Sequence, residues 1–184
     1  VCSSDLLTGL VRDQQRRKMS KSLGNSPEPI ELIEKYGADG VRVGMLLCSP
    51  AGNDLLYEDS LPEQGRNFAN KIWNAFRLVQ HWHVDDTIDQ PGSSKAAVKW
   101  MNEVLKKSVH DIDLNFKRFR ISEALMITYK LFWDEFSGWY LEIIKPEISD
   151  PKNQLVMAKV LEKSLRMAHP FMPFITEEIR DKLY

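Results

Sequence analysis

Lys18 and Lys21 stand three residues apart in Lys18-Met19-Ser20-Lys21-Ser22, followed by Leu23-Gly24-Asn25-Ser26. Between Val11 and Asn25, Arg12, Arg16, Arg17, Lys18 and Lys21 face Asp13 alone, so the stretch is locally cationic. A polyanion is the natural guest. Ser20, Ser22 and Asn25 supply hydroxyl and amide groups, and Gly24 lets the backbone approach a ligand or flex. Lysines on a glycine-bearing loop can hold nucleotide phosphates, acting as point charges rather than planar forks. On charge alone, a solvated basic loop explains these residues equally well.

A second group has helical spacing. Asn67, Asn70, Lys71 and Asn74 recur at i, i+3, i+4 and i+7, flanked by Arg66 and Arg77. Amides and cations in such a row suit phosphates and unpaired base edges of RNA. The competing reading is a polar bundle face whose asparagines bond to neighbouring backbone. Three asparagines are unusual in one helical row, since they form helices poorly.

Composition bounds the rest. The 184 residues, 43% hydrophobic and 28% charged, suffice for one soluble globular domain with or without a small appendage. A net charge of −1 confines nucleic-acid binding to local patches. Cys2 and Cys48 form no metal-ligand pattern, and His81, His83, His110 and His169 have no metal-like spacing, so neither zinc nor a disulfide is predicted. No apolar run is long enough to span a bilayer, and Val1–Asp5 does not read as a signal peptide. A reduced, cytoplasmic setting without membrane contact is expected.

The elements that must position these groups follow from periodicity. Leu6, Leu7, Leu10 and Val11 suggest a strand tail entering the basic loop. Ser26 is expected to cap a helix with Pro27 and Pro29 in its first turn, Ile30, Ile33 and Tyr36 on one face, and Gly37 as its stop. Asp39 is expected to cap a second short helix ending before Pro50, with an extended piece near Leu55-Leu56-Tyr57 beyond it. Long helices are then predicted from about Glu63 to His81 and from about Ser94 to Phe116, with Val109 among the inward positions of the second. Leu125, Tyr129, Phe132, Phe136, Trp139 and Ile143 mark a third helix ending at Lys145-Pro146, on which Trp133, Trp139 and Tyr140 are assigned to packing. Asp150 and Pro151 open a fourth running to about Ala168, and a fifth starts near Pro173. Asp85, Asp86 and Asp89 fall in an acidic loop, and Lys117, Arg118 and Arg120 at a helix end. The fold class is mainly α: a small, mostly helical connecting segment carrying the basic loop (1–59), then a helical bundle (60–184).

Lys18-Met19-Ser20-Lys21-Ser22 with Leu23-Gly24-Asn25 resembles the second signature of the class I aminoacyl-tRNA synthetases, which activate an amino acid with ATP and load it onto tRNA. The likeness continues through Pro27-Glu28-Pro29, the stretches 34–42 and 65–75, and His169-Pro170-Phe171-Met172-Pro173-Phe174, so it covers the chain from about Leu7 onward. Among branched-chain members, Ala51-Gly52-Asn53-Asp54 and Arg66-Asn67-Phe68-Ala69-Asn70-Lys71 are most similar to the valine-specific enzymes. The resemblance implies that Lys21, assisted by Lys18, stabilises charge on the departing pyrophosphate. Met19, Ser20 and Ser22 would complete the ATP-binding loop, and Mg2+ would arrive with ATP, no metal site belonging to this stretch. It also implies an anticodon-binding bundle that holds the anticodon arm of valine tRNA, with ATP and valine as the other partners. The family's nucleotide-binding sheet, its His-Ile-Gly-His signature and its editing domain lie outside the sequence, and residues 1–5 depart from the pattern. A piece of a larger ligase, inactive by itself, is therefore expected. Two alternatives are a stand-alone helical RNA-binding module and a piece of an isoleucine or leucine ligase.

Overall fold

The computed structural model describes residues 10–48, 53–80, 87 and 92–183. The expectations for Leu6, Leu7, His81, His83 and the acidic loop lie outside them.

Two short strands, β1 (Val11–Arg12) and β2 (Leu55–Leu56), pair in parallel with Val11 opposite Leu55 and Arg12 opposite Leu56. Asp54 tightens the pair, accepting from the Leu10 amide at 2.9 Å and from the Arg12 guanidinium. Between the strands lie α1 (Pro29–Tyr36) and α2 (Ala38–Leu47). The cap of α1 is Glu28 rather than Ser26. Proline pushes the residue before it into extended backbone, so Pro29 takes the first helical position and Glu28 stays outside the helix. Gly37, at φ +77°, stops α1 as expected. Ile30 and Ile33 are exposed, and only Tyr36 of the expected face is buried.

The bundle comprises α3 (Ser60–Val79), α4 (Gly92–Lys117), α5 (Ile121–Lys130), a π-helical stretch (Leu131–Tyr140) running into α6 (Leu141–Ile144), α7 (Pro151–Ala168) and α8 (Pro173–Leu183). Phe68, Ile72 and Phe76 of α3 meet Met101, Leu125, Phe132, Met157 and Leu161 in one apolar core. The cap of α7 is as predicted: Asp150 accepts from the Lys152 and Asn153 amides at 2.9 and 3.1 Å. Val109 is corrected to an exposed position.

The π-helical stretch changes which residues face inward. An α-helix keeps steps of 4 and 3 on one face, which made Trp139 and Ile143 core positions. A π turn closes i→i+5 bonds and holds more residues, so repeated steps of 4 stay in line. Phe132, Phe136, Tyr140 and Ile144 are accordingly buried, whereas Trp139 and Ile143 are 63% and 50% exposed. The packing assignment holds for Tyr140 and fails for Trp139.

Two features fasten the connecting segment to the bundle. At the crossing of α2 and α3 the backbones touch: a Cβ on Gly65 would lie 2.1 Å from the Gly40 carbonyl oxygen, and one on Gly44 would lie 2.6 Å from the Leu61 backbone. The second is Asp39. It does not cap α2, which already begins at Ala38; its carboxylate accepts from the Ile175 amide at 2.7 Å and the Phe174 amide at 3.4 Å. Those are amides that α8 leaves without helical partners in its first turn, so Asp39 caps a helix far along the chain. Burial pushes its carboxyl pKa up against the pull of these amides and of Arg42. Arg42 donates at 3.3 Å to both the Phe171 and the Pro170 carbonyls, closing the same junction.

Candidate functional site

The basic loop leaves β1 through a tight turn and is braced from beneath. Asp13 accepts from the Gln15 amide at 3.0 Å, the Arg17 amide at 2.8 Å and Arg17 Nε at 2.8 Å. The turn places Arg16 at φ +63°, and Met19 N–H returns to the Val11 carbonyl at 3.0 Å. Asn25 donates to Asp13 at 3.0 Å and to the Lys18 carbonyl at 3.3 Å, and accepts from Ser20 N–H at 2.9 Å. The bond from Asn25, followed by those from Arg17, holds the Asp13 carboxyl down at about 2 against desolvation. A depressed carboxylate stabilises the fold above its ordinary 3.8 and loses that effect only as pH falls through about 2. The brace is ionic at any physiological pH.

The expected phosphate groups sit on the outer surface of this loop. Lys21, Ser22 and Leu23 form a single 3₁₀ turn closed by Gly24 N–H on the Lys21 carbonyl, with Gly24 at φ +64°. Ser20 Oγ and Ser22 Oγ share a hydrogen bond at 3.2 Å. Lys18 is exposed, and Lys21 is 86% exposed with Nζ 3.8 Å from Glu28 Oε2. Met19 and Ser20 are half-buried, and the apolar Met19 anchors the motif rather than presenting a polar group. A cleft of about 420 Å³ opens behind the loop, but Asp13, Glu58 and Asp59 line it and neither motif lysine does. Three carboxylates against Arg17 make this cleft a poor place for phosphate, and the motif's exposed groups lie on the loop's outer face.

The second group lies on α3. Asn67, Asn70, Asn74, Arg66 and Arg77 are exposed and Lys71 is half-buried, so the row faces solvent rather than a neighbouring helix. Arg66 is partly engaged, donating to the Lys35 carbonyl at 2.9 Å. Lys71 Nζ lies 5.0 Å from the centre of the Trp133 ring, which stacks on Tyr129 at 5.4 Å and 5°. Sequence reasoning assigned Trp133 to the core; it is 37% exposed beside the polar row. Lys117, Arg118 and Arg120 cluster at the end of α4, with Lys117 paired to Asp113. Among the described residues no group of three or more His, Cys, Asp or Glu side chains could hold a metal ion, and no helix is long and apolar enough to cross a membrane.

Two family profiles match the chain. One, described as tRNA synthetases class I (I, L, M and V), covers residues 4–58 and so contains the whole basic loop. The other, the anticodon-binding domain of tRNA ligase, covers residues 98–183. The chain belongs to the class I tRNA synthetase family. Among curated relatives of this synthetase segment, a valine–tRNA ligase from Parabacteroides distasonis is 59% identical over 175 residues, 94% of the chain and 20% of that protein. One from Bacillus cereus is 41% identical over 184 residues, 95% of the chain and 21% of that protein. The chain thus spans about a fifth of the length of the curated relatives it matches. The synthetase fold recurs in methionyl-tRNA synthetase of Mycobacterium tuberculosis bound by methionyl-adenylate, with TM-score 0.76 and 22% identity over 95% of this chain and 37% of that one. It recurs also in a leucyl-tRNA synthetase of Agrobacterium radiobacter, in a ternary complex with tRNA, with TM-score 0.72, 22% identity and coverage of 96% and 22%.

Proposed function

We propose that the chain is the part of a valine–tRNA ligase that carries the ATP-phosphate-binding loop and the bundle that holds the anticodon arm. The observation that supports this most is the loop itself: five residues of a synthetase signature, braced from beneath by Asn25 and Asp13, with both lysines exposed. Activation is attack of the valine carboxylate on the α-phosphate of ATP, expelling pyrophosphate. Negative charge builds on the bridging oxygen and the departing phosphates. Lys21 meets that charge where it develops, so it accelerates the step rather than merely tightening binding. Lys18 assists, Ser20 and Ser22 hydrogen-bond the phosphates, and Met19 anchors the motif. Mg2+ enters with ATP as part of the substrate. No general base is needed, because the attacking carboxylate is ionised at neutral pH. We divide the chain at 59/60, where α3 begins, and place the protein in the cytoplasm.

The α3 row is assigned to the anticodon arm. Arg66, Lys71 and Arg77 take phosphates, and Asn67, Asn70 and Asn74 take base edges. Salt tests this division. Each phosphate contact to a single strand contributes a slope of about −0.7 in log affinity against log salt. Lys71→Ala is expected to weaken all tRNAs alike and to flatten that slope, whereas Asn70→Ala or Asn74→Ala narrows the gap between valine and other anticodons. Titration of labelled anticodon stem-loops at two salt concentrations measures both; unchanged affinity in folded variants removes α3 from the interface.

A further inference from the structure

The family reading gives no role to the side chain that ties the loop together. Asn25 reaches the Lys18 carbonyl with Nδ2 at 3.3 Å and the Ser20 amide with Oδ1 at 2.9 Å. It therefore holds the backbone of the residue bearing one lysine and of the residue just before the other. Its second Nδ2 hydrogen goes to Asp13 Oδ2 at 3.0 Å. Asp13 also closes the preceding turn through Gln15 and Arg17, so turn and motif form a single hydrogen-bonded body. The lysine side chains themselves are long and exposed. The geometry that can be fixed in advance is that of their backbone attachment points.

We propose that Asp13 and Asn25 are positioning residues, acting as a pair that fixes the spacing of Lys18 and Lys21 for the triphosphate of the nucleotide. The proposal rests on the reading of those lysines as phosphate-binding groups. Asn25 touches no substrate in it. It acts by keeping both cations on one rigid base, so that little reorganisation remains when charge develops.

The test uses the full-length ligase that carries this segment. Asn25→Asp keeps the side chain's size and its acceptor for Ser20 N–H. It removes both donors and sets a carboxylate against Asp13 and the Lys18 carbonyl. Displacing a catalytic group by an ångström costs about 10²-fold, so kcat for valine-dependent ATP–pyrophosphate exchange, assayed well below the melting temperature, should fall by about that factor with KM for valine unchanged; the lost brace should also lower the melting temperature. Adding Asp13→Asn returns a donor between the two positions and should recover about tenfold of the loss, the sign of coupled neighbours. Asp13→Asn alone should lower kcat. A purely structural role predicts instead a kcat that is unchanged well below the variants' melting temperatures, with nothing for the double variant to recover, and that result overturns the proposal. Lys21→Ala is measured alongside. Full activity in Asn25→Asp with a defective Lys21→Ala overturns the pairing but keeps the site; full activity in both overturns both.

Discussion

Lys21→Ala in the full-length ligase is expected to slow formation of valyl-adenylate by about 10²–10³-fold, the usual cost of removing one group aimed at developing charge. Valine affinity should change little, because in the proposed mechanism the lysine acts on the pyrophosphate and not on the amino acid. Its one charged partner among the described residues, Glu28 at 3.8 Å, is a surface contact with both side chains at least half exposed. Such pairs contribute little, so Lys21 is free to leave it for a phosphate. Lys21→Arg should restore part of the rate at most, since a planar fork does not replace a compact ammonium. Single-turnover quench-flow of adenylate formation separates binding from chemistry. A Lys21→Ala rate equal to that of the parent would take this residue out of the mechanism.

The second large effect is on stability. Gly65→Ala should destabilise the fold by about 3 kcal/mol or more, at or beyond the upper end for overpacked interiors. The added Cβ would meet the Gly40 carbonyl oxygen at 2.1 Å, and the obstacle is backbone, which cannot rotate away like a side chain. For a chain of this size that corresponds to a drop in melting temperature of roughly 6–12 °C. Gly92→Ala is the control: nothing lies within 4 Å of a Cβ there, and its melting temperature should stay close to that of the parent. Circular dichroism of the 184-residue chain reads both. Equal melting temperatures for Gly65→Ala and Gly92→Ala would mean that α2 and α3 do not cross as closely as described.

The helical bundle was legible because apolar residues at steps of three and four recur along α3, α4 and α7, and because Asp150-Pro151 is a local start signal for the helix that follows. The loop was legible as chemistry because its lysines, serines and glycine are contiguous. What failed depended on partners distant in sequence or on backbone geometry without a residue signature. Nothing near Trp139 announces a π turn, so its burial was assigned by the wrong period. Asp39 stands where a local cap belongs, yet its amide partners are Phe174 and Ile175. Gly40 and Gly65 read as family likeness until the helix crossing showed why a side chain there has no room. Asn25 was read as a group offered to the ligand, whereas its amide is spent on Asp13, Lys18 and Ser20.

These corrections leave the proposed chemistry standing on the same five residues and change what surrounds them. The lysines are presented by a braced body instead of a loose loop. The α3 row gains an aromatic neighbour in Trp133, held beneath Lys71. The buried Asp39 and the glycine crossing join the segment bearing the loop to the bundle, so the spacing between the two candidate sites is set by packing.

The most direct test of this account is charging. The full-length protein containing this segment should attach radiolabelled valine to tRNA bearing a valine anticodon, and the 184-residue chain alone should attach none. Preferential charging with isoleucine or leucine, or no charging of any tRNA by the full-length protein, would contradict it.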